Sequence, residues 1–294
     1  MRRVLHGETG PTGGPAFTDV LGVCLSWADG IAVVMREDGS RISIATRDIV
    51  AGKPVPPRPK VRQRVSAREA ESHAAAFWPR VERLLLGEWE LRSDPAPVGR
   101  PRKRANSCLA IGDPGAPLDD AVARVVAFYA KRHRQPLMQV EADSEVEQAL
   151  RASGWSPVSG DAALLLGSIS RAHRLIGRGP RNTSVEILLE EEGPRAECRC
   201  VIGENSSGEA PIGFASGAYD GDWLGIHSLE VDEEHRRAGV ATALVDRLLE
   251  FGAENGCLTV WLHVELDNQA AMNMYEQLGL DVHHTCRYLA PTNS

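Results

Sequence analysis

Short stretches of alternating apolar and polar residues near the start of the chain predict β-strands. Three of them are Val20–Trp27, Ile31–Arg36 and Arg41–Ala45. Aspartate–glycine pairs separate them, at Asp29-Gly30 and Asp38-Gly39, and such a pair between apolar runs is a strong hairpin signal. We therefore predict a small SH3-like β-barrel over residues 16–59, ending in a proline-rich linker, and a disordered polar tail over residues 1–15.

Helical spacing takes over in the middle of the chain. Apolar residues recur every three or four positions in Leu118–Arg134, with aspartates at its start and basic residues at its end, as the helix dipole favours. Shorter helices are predicted for Ser66–Phe77, Pro79–Leu86 and Ser144–Ser153, and a buried strand for Ala162–Gly167. These elements predict an α/β unit over residues 64–168.

Strands and helices alternate again in residues 184–294. The predicted strands are Ser184–Leu189, Glu197–Ile202, Ile212–Ala218, Gly225–Val231 and Leu258–Val264. A strong helical pattern follows each of the last two. The whole chain is therefore predicted to be α+β, with a β-rich start and two α/β units.

The segment between Val231 and the next helix has the composition of an anion site. A polar turn follows the strand, and Arg236-x-x-Gly239-x-Ala241 leads into a helix with an apolar stripe. Backbone N–H groups in a first helical turn have no intrahelical partner, and the helix dipole adds positive charge there. A phosphate group fits such a site, because small residues let the backbone approach it and neighbouring arginines add charge.

A second pattern follows the strand Leu258–Val264. Asp267 or Asn268 can cap a helix that ends at Gly279. Asn268 and Tyr275 are seven residues apart, which is two helical turns, so their side chains lie on one side of that helix.

Together these patterns resemble the GNAT superfamily of N-acetyltransferases. The matching residues, in family order and at family spacing, are Leu229, Val231, Arg236, Gly239, Ala241, Asn268 and Tyr275. The resemblance covers about residues 184–285. It implies a GNAT fold, with a mixed and mostly antiparallel central sheet flanked by helices, and an N-acetyltransferase that uses acetyl-CoA.

The organisation of the whole chain is similar to that of a group of actinobacterial proteins with an SH3-like N-terminus. Some of these are described as histone-like-protein acetyltransferases, and their middle unit resembles a degenerate GNAT half. This chain departs from the family pattern between Gly167 and Ser184, where acceptor-lining helices would be expected. Either the middle unit supplies those helices or the acceptor site is reduced.

The resemblance also implies roles for single residues. Leu229 and Val231 pair through their backbones with the pantetheine arm of the cofactor, and Asn268 touches the cofactor. Tyr275 protonates the departing thiolate. The pyrophosphate is held by the turn and first helical residues Arg236, Arg237, Ala238, Gly239, Val240, Ala241 and Thr242.

The general base stays open between several residues. Many members of the family place a glutamate at the position of His263, and Glu265 lies two residues further on the same strand face. A histidine suits the task by its pKa. We therefore predict Glu265 and His263 as candidates, with His227 and Glu230 on the preceding strand as further ones.

Net charge and cysteine content restrict the ligands and partners that the protein can bind. The chain carries a formal net charge of −7, which argues against a general nucleic-acid binder because phosphate contacts need a positive field. An acidic chain leaves room for a basic protein as the amine acceptor, and a homodimer is left open. The six cysteines form no CxxC pair, so we predict reduced thiols, no metal site and a cytoplasmic protein without a membrane span.

Three functions stay open at this point. The first is transfer of an acetyl group from acetyl-CoA to a primary amine, in a protein lysine or a small molecule, by direct attack in a ternary complex. The second is acetyl transfer of the mycothiol-synthesis type, because tandem GNAT units of this length do that reaction. The third is a non-catalytic acyl-CoA sensor whose N-terminal barrel binds a partner.

Overall fold

A computed structural model of the chain describes residues 1–9, 13–36, 40–52, 64–97, 102–177, 185–202 and 210–292. The chain divides into two units, Met1–Pro59 and Lys60–Ser294. The predicted turn pair Asp38-Gly39 and the proline-rich linker at residues 53–59 lie outside the described residues.

Strands fill the first unit. They are β1 (Arg2–Thr9), β2 (Pro15–Asp19), β3 (Val23–Ala28), β4 (Ile31–Met35), β5 (Arg41–Ala45) and β6 (Ile49–Ala51). They form two three-stranded sheets, in the orders β2-β1-β6 and β3-β4-β5. Asp29 and Gly30 both have positive φ, as a tight two-residue turn between β3 and β4 requires.

Two predictions for this unit are affected by the structure. Residues 2–9 form a strand, so the prediction of a disordered tail over residues 1–15 is wrong. The segment is polar, but its backbone pairs with β2 on one side and with β6 on the other, and this pairing orders it. The strands that are described lie in two sheets, so a closed SH3-like barrel over residues 16–59 is not confirmed.

The second unit combines helices with a large set of strands. The described helices are α1 (Ala67–Ser72), α2 (Leu118–Ala130), α3 (Glu145–Ala152), α4 (Ile169–Ile176), α5 (Val240–Glu254) and α6 (Gln269–Gln277), and a 3-10 turn at His73–Phe77 extends α1. The strands are β7 (Glu82–Leu86), β8 (Trp89–Ser93), β9 (Cys108–Leu109), β10 (Met138–Glu141), β11 (Trp155–Pro157), β12 (Ala162–Ser168), β13 (Val185–Glu192), β14 (Arg195–Ile202), β15 (Gly213–Asp220), β16 (Trp223–Val231), β17 (Thr259–Glu265) and β18 (Asp281–Pro291).

These strands form one sheet, in the order β13-β14-β15-β16-β17-β12-β18-β10-β9-β8-β7, with β11 paired to β18 beside this path. Among the described pairs, β9 with β10 and β16 with β17 run parallel, and the others run antiparallel. The predicted α+β class with a mixed, mostly antiparallel sheet is confirmed.

The helix predictions in this unit have different outcomes. Ser66 and Ser144 cap α1 and α3, since each side chain accepts a hydrogen bond from the backbone N–H three residues on. The predicted helix Pro79–Leu86 is wrong, because Glu82–Leu86 forms a hairpin with β8. Gly87 takes the positive φ that this turn needs.

The strand at the centre of the sheet, β12, lies between β17 and β18. Leu164 of β12 is directly opposite His263 on one side and His284 on the other. β18 also pairs with β10, so strands of the two predicted α/β units alternate. Strands from before and after residues 168–184 therefore belong to one sheet. The predicted boundary at these residues does not separate two compact units.

Helices cover the two faces of the sheet differently. On one face, which we call the α5 face, Leu244 of α5 and Tyr275 of α6 belong to an apolar cluster with Leu262 of β17. On the other, which we call the α1 face, Phe77 packs with Trp261 of the same strand. Successive residues of β17 thus serve opposite faces, as strand geometry requires.

A buried ion-pair network fixes β18 to its neighbours. Arg287 donates to both carboxylate oxygens of Asp161 and to Glu147, whose side chain is only 3% exposed. Burial alone would raise the pKa of Glu147, but the hydrogen bond from Arg287 leads the opposing contributions, and the pKa is lowered. The pair therefore stabilises the fold at neutral pH, and its contribution is lost as the pH falls below about 4.5, the ordinary glutamate value.

We expect Arg287→Met to lower the free energy of unfolding at pH 7 by about 2–4 kcal/mol, because it leaves a buried carboxylate without its main partner. Urea unfolding at pH 7 and pH 4 measures this, and the deficit should shrink at the lower pH as Glu147 becomes protonated. Arg151→Met is the matched control, since Arg151 also pairs with Glu147 but is 46% exposed and should cost only about 0–1 kcal/mol. Equal losses in the two variants would contradict the assignment.

Candidate functional site

An opening separates the two parallel strands β16 and β17. Their pairing begins at Trp223 with Thr259 and ends at Ile226 with Leu262. Both strands continue further, to Val231 and Glu265, and no pair between these described segments is observed. One backbone edge of β16 beyond Ile226 is therefore free to pair with an extended ligand, as an added strand would.

A β-bulge lies in β16 where this opening starts. Ser216 of β15 pairs with His227, but Phe214 pairs with Glu230, so β16 carries one extra residue. Ser228 adopts the left-handed region with φ 53, and its Oγ accepts a hydrogen bond of 2.7 Å from Arg102. A bulge re-aims the backbone of its strand, and bulges of this kind are common next to active sites.

The turn that links β16 to α5 is open to solvent. Residues 236–239 are exposed, and Arg237 and Gly239 take positive φ of 63 and 81 before α5 begins at Val240. No described residue accepts a hydrogen bond from the backbone N–H groups of Val240, Ala241 or Thr242. Free amides at a helix N-terminus attract an anion, so the turn meets the requirement for a phosphate site.

Helix α6 follows β17 at the same opening. The side chain of Asn268 caps it by accepting from the N–H of Ala271 at 3.1 Å, which confirms the predicted cap. Tyr275 is buried among apolar side chains, and burial raises the pKa of its hydroxyl. The phenol therefore keeps its proton at neutral pH.

A cavity of about 280 Å³ lies on the α1 face beside His227. Phe77 forms part of its wall, with ring centroids 4.4 Å from the His227 ring. Burial lowers the pKa of His227 to about 3, and Arg102 and Arg104 add to this effect. The imidazole is thus neutral at physiological pH and does not repel a cation.

Much of the remaining cavity wall is acidic. Its charged residues are Glu190, Glu191, Glu192, Glu197 and Arg195. Glu191 pairs with Ala196 of the α5-face cluster, so its carboxylate lies on the opposite face of the strand. The other three carboxylates against one guanidinium give a formal charge of −2. Glu190 stands directly opposite Glu197 on the neighbouring strand, and like charges in that position repel each other. Arg199 lies 3.0 and 3.9 Å from these two carboxylates, and the excess negative charge that remains favours a cationic ligand.

The segment that contains this opening is similar to a known protein family. Residues 168–280 match the Acetyltransferase (GNAT) family, and that segment contains β16, the turn at Gly239, β17 and α6. Residues 168–280 are a GNAT-family acetyltransferase domain. The chain carrying this GNAT domain is also 26% identical over 294 residues to a Mycobacterium tuberculosis protein named as a probable histone acetyltransferase, an alignment that covers 94% of this chain and 89% of that protein.

Solved structures agree on the fold. A GCN5-related N-acetyltransferase from Kribbella flavida superimposes with a TM-score of 0.61 at 13% identity, over 78% of this chain and 96% of that one. At this identity the likeness concerns the fold alone. It extends well beyond the GNAT domain, in keeping with the continuous sheet of the second unit.

The structure places the two predicted bases of the GNAT domain differently. The side chain of His263 is 2% exposed, and its Nε2 lies 2.7 Å from Glu71 of α1. Burial lowers the pKa of His263 to about 4, Arg104 adds to that effect, and Glu71 opposes it. Glu265, at the end of β17, is exposed and lies on the same strand face. Of the two, Glu265 is the one that a substrate can reach.

The acceptor-lining helices that the family pattern would place between residues 168 and 184 have a partial substitute. α4 occupies Ile169–Ile176 but packs on the α5 face through Ile169 and Ala172. On the α1 face, the covering segment is α1 with its 3-10 turn, whose Ala70, Ala74 and Phe77 contact the sheet. The part predicted as the middle unit therefore supplies the helix beside the cavity.

Several residues of the site were missed by sequence reasoning. The acidic wall comes from the β13–β14 hairpin, and Phe77 comes from a segment more than 100 positions earlier. The run of three glutamates at 190–192 was the only signal that sequence offered for the wall. In the described part of the chain, no helix has the length and apolar character that crossing a membrane requires.

Proposed function

We propose that the chain is an acetyl-CoA-dependent N-acetyltransferase whose acceptor is a cationic primary amine. The observation that carries this proposal is the opening between β16 and β17, which ends at an exposed turn leading into the N-terminus of α5. The GNAT family uses acetyl-CoA as its co-substrate. An extended arm and a charged diphosphate are what a free strand edge and a helix N-terminus together would bind.

The cofactor contacts follow from that placement. The backbones of Leu229 and Val231, on the free edge of β16, pair with the pantetheine arm, and Asn268 at the start of α6 contacts the cofactor. The diphosphate is held by the N–H groups of Val240, Ala241 and Thr242 and by the guanidinium groups of Arg236 and Arg237. Ala238 and Gly239 complete the turn and let its backbone approach the diphosphate.

The acidic cavity supports a positively charged acceptor. Its carboxylates attract an ammonium group, and neutral His227 adds a polar contact without opposing charge. The name of the Mycobacterium tuberculosis relative supports a lysine side chain in a basic protein as one such acceptor. A lysine peptide and a polyamine both present a cationic primary amine, so both are candidate acceptors.

Proton transfer sets the roles of the site residues. A lysine with a pKa near 10.4 is only about 0.04% neutral at pH 7, so a base must take its proton before the nitrogen attacks the thioester carbon. We assign this to Glu265, which is exposed at the opening. As the C–N bond forms and the C–S bond breaks, Tyr275 gives its proton to the sulfur and recovers one from solvent.

The test is thiol release from acetyl-CoA by the full chain, with lysine-rich peptides, polyamines, aminoglycosides and an uncharged amine as acceptors. We expect turnover with cationic acceptors and little with the uncharged one. Turnover confined to a mycothiol precursor would favour the small-molecule alternative. Thermal stabilisation by acetyl-CoA without thiol release on any acceptor would contradict the proposal and favour a sensor.

Glu197→Gln tests the acidic wall directly. We expect kcat/KM for a cationic peptide to fall about 5- to 10-fold, mainly through KM, and its dependence on ionic strength to weaken, because one attracting charge is lost. Glu254→Gln is the control, since Glu254 is exposed at the end of α5 and outside the cavity. Equal behaviour of the two variants would show that the acceptor binds elsewhere.

A further inference from the structure

A cluster of four chemically reactive side chains is buried beneath α1. It consists of Glu71, His263, His284 and Cys286, and each is almost completely shielded from solvent. Glu71 comes from α1, His263 from β17, and the other two from β18. Burying a carboxylate, two imidazoles and a thiol together costs free energy unless each group has a bonding partner. Apolar packing alone therefore does not explain this cluster.

The register of the sheet brings these residues together. Leu164 of β12 stands opposite His263 on one side and His284 on the other, and Ala162 stands opposite Cys286. Residues two apart on a strand share a face, so all three side chains project from the α1 face. Glu71 meets them from the helix above.

The four groups converge on one point. Glu71 Oε1 lies 2.7 Å from His263 Nε2, 3.1 Å from Cys286 Sγ and 3.4 Å from His284 Nε2. The ligand atoms of Glu71, His263 and Cys286 all lie within 4.8 Å of one another. His284 is not within that distance of all three, and its Nε2 approaches the group through Glu71. Tetrahedral coordination at bond lengths of ~2.0–2.3 Å places ligand atoms ~3.3–3.8 Å apart, close to the observed separations of Glu71 Oε1 from Cys286 Sγ and His284 Nε2.

Two atoms of the cluster are left without a hydrogen bond from the described residues. They are Glu71 Oε2 and His284 Nε2, both buried. The other ring nitrogen of His284, Nδ1, lies 2.7 Å from Nδ1 of His283, and Nε2 of His283 lies 2.8 Å from the Val65 carbonyl oxygen. A second contact of this kind orients a ligating histidine and leaves its free nitrogen directed at the metal.

We propose that Glu71, His263, His284 and Cys286 bind a zinc ion. Mixed sulfur, nitrogen and oxygen ligands in fourfold arrangement suit zinc better than magnesium or calcium, which prefer oxygen alone. The double charge of the ion balances the carboxylate and the thiolate. All four positions come from the protein and exclude solvent, so the ion is structural and fastens α1, which lies beside the acceptor cavity, to β17 and β18.

Metal analysis of the tag-free full chain tests the site, independently of any acetyl transfer. We expect about one zinc per chain by mass spectrometry after dialysis, and loss of most of it in Cys286→Ser. Cys257→Ser is the matched control, since Cys257 is also a buried free thiol but lies outside the cluster, and it should keep the metal. Wild-type protein that takes up no zinc from an equimolar solution, or Cys286→Ser with full metal content, would overturn the proposal.

Cobalt substitution provides a measurement on the wild-type chain, should the variants fold poorly. Cobalt(II) in a fourfold site with one thiolate gives intense visible bands and a sulfur-to-metal charge-transfer band in the near ultraviolet. We expect both when apo-protein is titrated with Co²⁺, with displacement by Zn²⁺. Weak bands typical of hexahydrated cobalt throughout the titration would count against the site.

Discussion

Replacing Tyr275 by phenylalanine is expected to lower kcat about 10²- to 10³-fold while leaving the affinity for acetyl-CoA nearly unchanged. Loss of a positioned general acid costs roughly this much, because the thiolate then leaves without a proton. The substitution removes one oxygen from a side chain that is 4% exposed and packed in an apolar cluster, so the fold should tolerate it. Steady-state thiol release and calorimetric titration with acetyl-CoA measure the two quantities.

Tyr219→Phe is a suitable control for Tyr275, since Tyr219 also packs against the α5-face cluster but lies on β15. It should keep wild-type turnover. A Tyr275→Phe enzyme as fast as the wild type would show that another group or water protonates the sulfur. The identification of the cofactor opening would still stand in that case.

Gly239→Asp is expected to weaken acetyl-CoA binding by about 100-fold or more. Gly239 has φ 81, so any side chain there carries some backbone strain. The carboxylate would also face the diphosphate at a helix N-terminus whose amides favour an anion. Calorimetry or competition with a fluorescent CoA analogue measures the change, and thermal unfolding reports the cost in stability.

Gly239→Asn separates charge from strain in that experiment. Asparagine has almost the same shape as aspartate and also tolerates the left-handed region. We expect it to lose only a small part of the affinity, so the difference between the two variants reports the repulsion of the diphosphate. Unchanged affinity in Gly239→Asp would remove the main support for the site.

Local signals in the sequence predicted the elements that form the proposed cofactor site. The turn at Gly239, the α5 stripe and the cap at Asn268 each depend on neighbours within a few residues, and the structure has them where the pattern indicates. The resemblance of this segment to the acetyltransferase family, inferred from the same residues, is confirmed by the match of residues 168–280.

Non-local pairing explains what the sequence could not predict. The position of β12 between β17 and β18 depends on strands about one hundred residues away, so a boundary at residues 168–184 looked natural. Glu82–Leu86 became a strand because its partner β8 follows a tight turn, although its short apolar run has no clear period. The buried cluster joins Glu71 to positions near 263 and 286, a spacing that matches no metal motif.

The proposed acceptor cavity illustrates the same limit. Phe77, His227 and Glu197 come from three distant segments, and only the folded sheet shows that they share a wall. The sequence named His227 as one base among several, but its burial and low pKa could not be foreseen without the surrounding arginines and aromatic rings. Glu265 and His263 looked equivalent as strand neighbours, and only the packing of α1 distinguishes them.

The central position of β12 in the sheet limits which fragments of this protein can fold and which segments relatives can exchange by recombination. A fragment limited to residues 168–280 would lack almost all of β12 and β18. One edge of β17 would then be unpaired, and such an edge can pair with another protein chain and cause aggregation. Recombination that exchanges this segment between relatives would have to carry β12 and β18 with it. During translation, β12 cannot complete its pairing until β18 has left the ribosome.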